Sequence, residues 1–151
     1  METTRHFTAT TFVVYKDKTL LHKHMKLDMW LPPGGHIDRD ELPHVAAKRE
    51  VLEETGLEVE IIHDEPAIFS DNAREIPGPR HLLLENINPF HQHIDMIYFA
   101  LASSFDVKPD ANESQVLKWF SIADLQSSDI ENDIRILGEE AVRALAEAWR
   151  A

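Results

Sequence analysis

Hydrophobic and polar positions along the first hundred residues follow patterns typical of β-strands. Residues 7–15, FTATTFVVY, are dominated by β-branched and aromatic side chains and predict a strand. A turn signal at residues 16–18 separates this segment from a second predicted strand over residues 19–24, so we expect a hairpin. The same criteria predict further strands at residues 59–62, 81–85, 93–102 and 119–120.

One predicted helix lies among these strands. It covers about residues 42–54, where Pro43 is tolerated in the first turn and Gly56 is the natural stop. Asp40 is the predicted N-cap, because a short acidic side chain can accept hydrogen bonds from the free N–H groups of a first turn. The sequence WLPPGG at residues 30–35 contains four helix and strand breakers and predicts a loop before the helix.

A second helix is predicted near the end of the chain, where apolar residues recur at intervals of three and four. The stripe consists of Ile130, Ile134, Leu137, Ala141, Leu145 and Ala148. Residues 71–91, rich in proline and asparagine, are predicted to be mostly loop. Strands therefore fill the first two-thirds of the chain, with one embedded and one terminal helix. The pattern predicts an α/β (α+β) fold, a mixed sheet between helices, as a single domain over residues 1–151.

Composition narrows the classes of function. The chain has 151 residues, of which 43% are hydrophobic, enough for a real core. It has no cysteine, no apolar run long enough for a membrane span and no N-terminal stretch resembling a signal peptide, so we expect a cytoplasmic protein without a membrane partner. A net charge of −12 argues against duplex nucleic acid, because phosphate contacts need clustered Lys and Arg. A small phosphorylated ligand would need a divalent cation between itself and the protein.

Three carboxylates crowd one side of the first predicted helix. At 100° per residue, Glu50, Glu53 and Glu54 fall within an arc of about 100°. Like charges at these spacings destabilise an isolated helix by roughly 0.2–0.5 kcal/mol per pair. Carboxylate oxygens suit Mg²⁺ or Mn²⁺, and a bound cation would turn this repulsion into attraction. Taken alone, the stretch is better explained as a solvated helix face with one Arg49–Glu53 ion pair, because runs of charge usually lie on the surface.

A longer pattern surrounds these glutamates. Residues 35–57, GHIDRDELPHVAAKREVLEETGL, resemble the signature of the Nudix hydrolases, G-x5-E-x7-R-E-U-x-E-E-x-G-U, in which U is aliphatic. The fixed positions of that signature are all filled, by Gly35, Glu41, Arg49, Glu50, Val51, Glu53, Glu54, Gly56 and Leu57. The resemblance implies an α/β/α sandwich in which the signature forms a loop, a helix and a loop.

The resemblance also implies a reaction and a set of site residues. Nudix enzymes hydrolyse a diphosphate linked to another moiety, here a nucleotide-type small molecule. By the family pattern, Glu53 and Glu54 bind Mg²⁺ or Mn²⁺, often joined by Glu50 and by the carbonyl of Gly34. Arg49 matches the arginine that orients the glutamates. Glu41 supports the helix or contacts metal through water, and the family also allows a homodimer.

Two residues are candidates for the general base. In the family this role belongs either to the glutamate matching Glu50 or to a glutamate in a loop beyond the signature. Glu113, in the sequence PDANESQVLKWF, lies in the expected region. Its alternative is an ordinary loop carboxylate, so Glu50 is the first choice.

Histidines and one basic patch supply candidate substrate contacts. His91, His93 and Asp95 alternate, so on a strand they share a face. They could contact substrate phosphates, bind zinc, or pack as part of a half-buried sheet, although a fourth zinc ligand is missing. Lys23 lies in the modest basic stretch before the signature, and its ammonium would either contact a phosphate or remain solvated. We take Lys23 and His93 as the substrate-binding candidates.

Two other functions compete with the pyrophosphohydrolase. A diphosphate isomerase with the same fold uses a catalytic cysteine, which this chain lacks. A catalytically silent Nudix-fold module would bind a ligand or regulate a partner, but silent members usually lose signature glutamates. The family markers for diadenosine polyphosphates, ADP-ribose and coenzyme A are not evident. Nucleoside triphosphates and sugar nucleotides therefore both stay open as substrates.

Overall fold

A computed structural model describes residues 2–149, which contain eight strands and two α-helices. The strands are β1 (Thr4–Tyr15), β2 (Lys18–Lys23), β3 (Trp30–Leu31), β4 (Gly34–His36), β5 (Glu60–Ile62), β6 (His81–Asn88), β7 (His91–Leu101) and β8 (Leu117–Ser121). The helices are α1 (Pro43–Thr55) and α2 (Asn132–Leu145). Short 3₁₀ turns lie before α2, at Asp124–Gln126, and after it, at Ala146–Trp149. No helix in this part of the chain is long and apolar enough to cross a bilayer.

All eight strands join one mixed sheet. Its main order is β3-β2-β1-β7-β5, and β4, β6 and β8 pair with β1, β7 and β2 respectively. The central pair, β1 and β7, is parallel, whereas the other pairs are antiparallel. Parallel pairing places His6 opposite His93 and Thr8 opposite Asp95. Residues far apart in the sequence thereby share one face of the sheet.

The two helices cover opposite faces of this sheet. On the first face, Ala46, Ala47 and Val51 of α1 pack in a buried cluster with side chains of β1 and β7. On the other face, the apolar stripe of α2 packs against a second buried cluster that includes Phe12 and Phe99. The predicted stripe is therefore confirmed as a core face, although Ala148 lies beyond α2 and is exposed. This α/β/α arrangement confirms the predicted fold class.

The start of α1 differs from the prediction. Leu42, not Asp40, is the N-cap residue, and no side chain caps the helix. Proline disfavours the helical conformation in the residue before it, and Leu42 is accordingly extended, with φ −73° and ψ 144°. Because Pro43 has no N–H, one of the groups that a cap would satisfy is absent. Gly56 ends the helix as predicted, in the left-handed region at φ 76°.

Two segments predicted as loops contain strands. Within residues 30–35, Trp30–Leu31 pairs with β2, and Gly34 begins the strand that pairs with β1. Within residues 71–91, the strand predicted at residues 81–85 is confirmed, but as β6 it extends to Asn88 and forms a hairpin with β7. Both are short or edge segments whose pairing depends on neighbouring strands. Local composition therefore underestimated them.

Candidate active site

Glycines allow the loop before α1 to approach the helix closely. A Cβ atom on Gly35 would lie 2.4 Å from Glu50 Oε1, and one on Gly34 would lie 2.8 Å from the backbone oxygen of Ala9. Any larger residue would collide with a carboxylate at the first position and with β1 at the second. Because they lack side chains, the two glycines allow β4 to lie close to the acidic side of α1.

Arg49 connects the carboxylates of this region. Its Nε donates to Glu41 Oε2 at 2.7 Å, and its Nη1 donates to Glu50 Oε1 at 2.9 Å. The same Nη1 lies 3.3 Å from Glu53 Oε2, and Nη2 donates to the carbonyl of His36 at 3.1 Å. The hydrogen bond from Arg49 lowers the pKa of Glu41, and the pKa of Arg49 is raised chiefly by the same bond. A planar guanidinium with this many acceptors fixes the glutamate side chains in place.

Glu54 is the most buried of the three α1 carboxylates, with 9% of its surface exposed. The amide N–H of Gly34 donates to its Oε2 at 2.7 Å. Burial, followed by the charge of Glu50, raises the pKa of Glu54 to about 8. Burial also raises the pKa of Glu50, against the opposing effect of Arg49. These carboxylates lack full charge compensation among the described residues, so the oxygen donor set fits a divalent cation.

A loop after β7 carries Glu113 toward these carboxylates. The N–H of Lys108 donates to the Thr55 carbonyl at 2.7 Å, and that of Asp110 donates to the Glu53 carbonyl at 3.0 Å. The loop is thereby fastened to the last turn of α1. The charge of Glu113 contributes to the raised pKa values of both Glu50 and Glu54, which reflects its proximity to them.

A cleft of about 490 Å³ opens beside Glu54, on the sheet face that α2 covers. Asp95 lies on its floor and accepts hydrogen bonds from Thr8 Oγ1 at 3.0 Å and Thr10 Oγ1 at 2.8 Å. Glu85 lies beside Asp95, and burial together with the Asp95 charge raises the pKa of Glu85 to about 8. The cleft therefore combines an acidic floor with the carboxylate edge of α1.

The sequence-based candidates for substrate contact occupy different positions. His93 lines the cleft, whereas the Lys23 ammonium lies 3.8 Å from Asp28 and over the Trp30 ring. The contacts of Lys23 do not test whether it binds substrate, so that role stays a prediction. The sequence alone assigned no role to Glu85. It alternates with Leu83 on β6, so the two side chains share the face of the strand that lines the cleft.

A larger depression, of about 850 Å³, lies on the α1 side of the sheet. Its walls are mostly apolar and include Val45, Leu52 and Leu101. None of the three α1 glutamates lines it. The carboxylate chemistry of α1 therefore lies at the smaller cleft, which Glu54 lines.

Comparison with known proteins identifies the family. A model of the NUDIX domain matches residues 4–139, most of the chain. The chain belongs to the Nudix family. Its enzyme class is accordingly that of the Nudix pyrophosphohydrolases, which generally use divalent metals. No curated protein sequence matches the chain significantly.

Solved structures agree with this assignment. A Nudix-family hydrolase from Clostridium perfringens is 38% identical with a TM-score of 0.85, and the match covers 94% of this chain and 99% of that one. A MutT protein from Methanosarcina mazei Go1 shares the fold at 18% identity and a TM-score of 0.71, over 95% and 97% of the two chains. A protein named UDP-X diphosphatase shares it at 18% identity and a TM-score of 0.61, covering 100% of this chain and 67% of that one.

The buried glutamate of the Nudix helix predicts an unusual pH dependence of stability without metal. Because the pKa of Glu54 is about 8 in the folded protein and near 4.5 ordinarily, the folded state binds more protons between these values. The stability that protonated Glu54 contributes to the folded protein is complete below pH 4.5 and is lost as the pH rises through 8. In EDTA, we expect Tm to fall from pH 6 to pH 8.5, and to fall less in a Glu54→Gln variant. Equal slopes for the two proteins by calorimetry would refute this.

Proposed function

We propose that this Nudix protein hydrolyses a pyrophosphate bond in a nucleoside diphosphate linked to another moiety, using Mg²⁺ or, alternatively, Mn²⁺. The observation that carries the proposal is the gathering of Glu50, Glu53 and Glu54 around one arginine and the Gly34 edge of a cleft. An acidic site of this kind can hold an anionic diphosphate only with cations between the two. The substrate class is a nucleoside triphosphate or a sugar nucleotide.

Each residue of the site has a proposed role. Glu53 and Glu54 hold the cations, with Glu50 and the carbonyl of Gly34 as further oxygen ligands. Arg49 is a positioning residue, because its guanidinium holds Glu50 and Glu53 at the distances given above. When bound, the cations would neutralise the diphosphate, lower the pKa of a water molecule and stabilise the leaving phosphate. The protein then has mainly to position the reacting groups.

The proton of the attacking water goes to Glu50 in this proposal, with Glu113 as the second candidate. We expect Glu50→Gln to lower kcat by about 100-fold or more, because a general base typically contributes 10²–10⁴-fold. Glu113→Gln should lower kcat by about 10-fold, through weaker positioning of the site. Steady-state kinetics of the two variants compare them directly. A larger loss for Glu113→Gln would move the base to the loop after β7.

The substrate lies in the cleft, with its diphosphate at Glu54 and the attached group along the floor. His93 is proposed to contact a phosphate, since its ring lines the cleft. Lys23 is proposed to reach a phosphate after leaving Asp28, a surface ion pair of the kind that contributes little to stability. We also propose that the chain forms a single domain and is located in the cytoplasm. From the family, we propose a homodimer, and light scattering of the full chain would test that oligomeric state.

A nucleotide panel tests the proposed function. Wild-type protein is incubated with nucleoside triphosphates and sugar nucleotides in Mg²⁺, and products are separated and identified by chromatography. The expected result is cleavage of one substrate class at an anhydride bond. The alternative is a catalytically silent module, which would give background turnover on the whole panel while still binding a nucleotide. That combination would overturn the enzymatic proposal.

A further inference from the structure

Histidines gather at the end of the cleft that lies away from α2. This histidine cluster comprises His6 of β1, His36 of β4, and His91 and His93 of β7. The ring centroids are 4.8 Å apart for His6 and His91, and 5.3 Å apart for His91 and His93. His36 packs edge-on against the rings of both His6 and His93. None of these side chains belongs to the α1 carboxylate site.

The parallel pairing of β1 and β7 creates this cluster. His6 lies opposite His93 in the register, and His91 lies two residues earlier on the same face of β7. One ring nitrogen from each of these three histidines can be chosen so that all three lie within 4.8 Å of one another. A tetrahedral zinc ion with Zn–N bonds of 2.0–2.1 Å separates its nitrogen ligands by roughly 3.3 Å. Rotation of the rings about their side-chain bonds covers the difference.

We propose that His6, His91 and His93 bind a transition-metal dication such as Zn²⁺, at a second metal site distinct from the α1 carboxylates. Imidazole nitrogens suit zinc, nickel and copper, whereas Mg²⁺ prefers oxygen ligands. The two sites would therefore select different ions.

The sequence suggested a possible zinc site formed by His91, His93 and Asp95. In the proposed site, Asp95 is not a ligand. Its Oδ1 accepts hydrogen bonds from the hydroxyl groups of Thr8 and Thr10, which hold it on the floor of the cleft. The third ligand is instead His6, which sequence spacing alone does not connect with β7. Asp95 supplies nearby negative charge, which acts on His93 and favours a dication at the histidine cluster.

Three protein ligands leave a fourth coordination position for water or substrate, as in catalytic zinc sites. His6 is exposed and His93 half-buried, so an ion can enter from solvent. His93 and His36 also line the cleft, so an ion bound at the cluster would lie beside the proposed substrate. A cation held there would contact a phosphate oxygen in place of the hydrogen bond proposed for the His93 ring.

Titration calorimetry tests the second site. Tag-free full-length protein is freed of metal with EDTA, transferred to excess Mg²⁺ to saturate the carboxylates, and titrated with Zn²⁺. We expect one equivalent of Zn²⁺ to bind per chain. Altering groups around a metal ligand alone costs 10–100-fold in affinity, so removing ligands in a His6→Gln/His91→Gln variant should cost at least about 100-fold. His63→Gln, at an exposed histidine outside the cluster, is the matched control.

A second measurement needs no variant. Co²⁺ in place of Zn²⁺ should give the intense visible absorption of a tetrahedral site in the wild-type protein, and Zn²⁺ should abolish that absorption. The proposal is overturned if Zn²⁺ does not bind in excess Mg²⁺, or if the double histidine variant binds it as the wild type does. Loss of Zn²⁺ binding in a Glu53→Gln/Glu54→Gln variant would likewise overturn it, by assigning the ion to the carboxylates. Hydrolytic activity does not enter any of these readouts.

Discussion

Replacement of Glu54 by glutamine is expected to lower kcat for pyrophosphate hydrolysis by about 100-fold or more, because cation stabilisation of the transition state is worth several kcal/mol and each 1.36 kcal/mol is tenfold in rate. Glutamine has the same size, and its side-chain oxygen can still accept the hydrogen bond from the Gly34 N–H. It cannot supply the negative charge that holds a cation. The variant therefore separates the chemistry of the carboxylate from its packing.

The same substitution is expected to leave stability nearly unchanged at pH 6 and to raise it above pH 8. Burial raises the pKa of Glu54 to about 8, so its ionised form is unfavourable in the folded protein without metal. Steady-state kinetics in saturating Mg²⁺ and calorimetry in EDTA measure the two effects. Glu58→Gln, at an exposed carboxylate four residues further along, is the matched control and should change neither. Full activity in the Glu54→Gln variant would remove Glu54 from the catalytic site.

Replacement of Gly56 by alanine is expected to destabilise the protein by at least about 2 kcal/mol, since the left-handed conformation costs a residue with a Cβ roughly 1–2 kcal/mol before any collision. Gly56 has φ 76°, and a Cβ there would lie 2.3 Å from the carbonyl oxygen of Lys108. The loop from Lys108 onward would have to move away from α1. Because that loop carries Glu113, we also expect kcat to fall.

Gly78→Ala is the control for this substitution. A Cβ on Gly78 would meet no atom within 4 Å, and its φ does not lie in the left-handed region. Chemical denaturation of both variants in EDTA measures the free energy of unfolding without a contribution from metal binding. Equal values for the two variants would show that neither the backbone conformation nor the Lys108 contact restricts position 56.

The sequence predicted the parts of the site that lie within one continuous segment. Glu50, Glu53 and Glu54 share a face because the spacing of side chains around a helix depends only on nearby residues. Gly56 ends that helix because the left-handed backbone conformation at its end favours glycine. The apolar stripe of α2 was readable for the same reason. By contrast, Asp40 was the wrong cap, because the extended conformation that Pro43 imposes on Leu42 outweighed the preference for an acidic cap residue.

Contacts between distant strands could not be predicted from spacing. His6 meets His93 only because β1 and β7 are parallel neighbours in this register, and Glu85 meets Asp95 only because β6 pairs with β7. A period of two tells which residues share a face of a strand but not which strand lies beside it. The acidic floor of the cleft and the histidine cluster therefore emerged from the fold.

The most direct test of the central claim is a ³¹P NMR time course on one sample of wild-type protein. The protein is mixed in EDTA with a nucleoside triphosphate and a sugar nucleotide, and excess Mg²⁺ is added partway through. We predict constant anhydride resonances before the addition and, afterwards, their loss from one substrate as phosphate, pyrophosphate or nucleoside monophosphate appears. Cleavage at the same rate in EDTA, or intact anhydrides after the addition of excess Mg²⁺, would contradict Mg²⁺-dependent pyrophosphate hydrolysis at Glu50, Glu53 and Glu54.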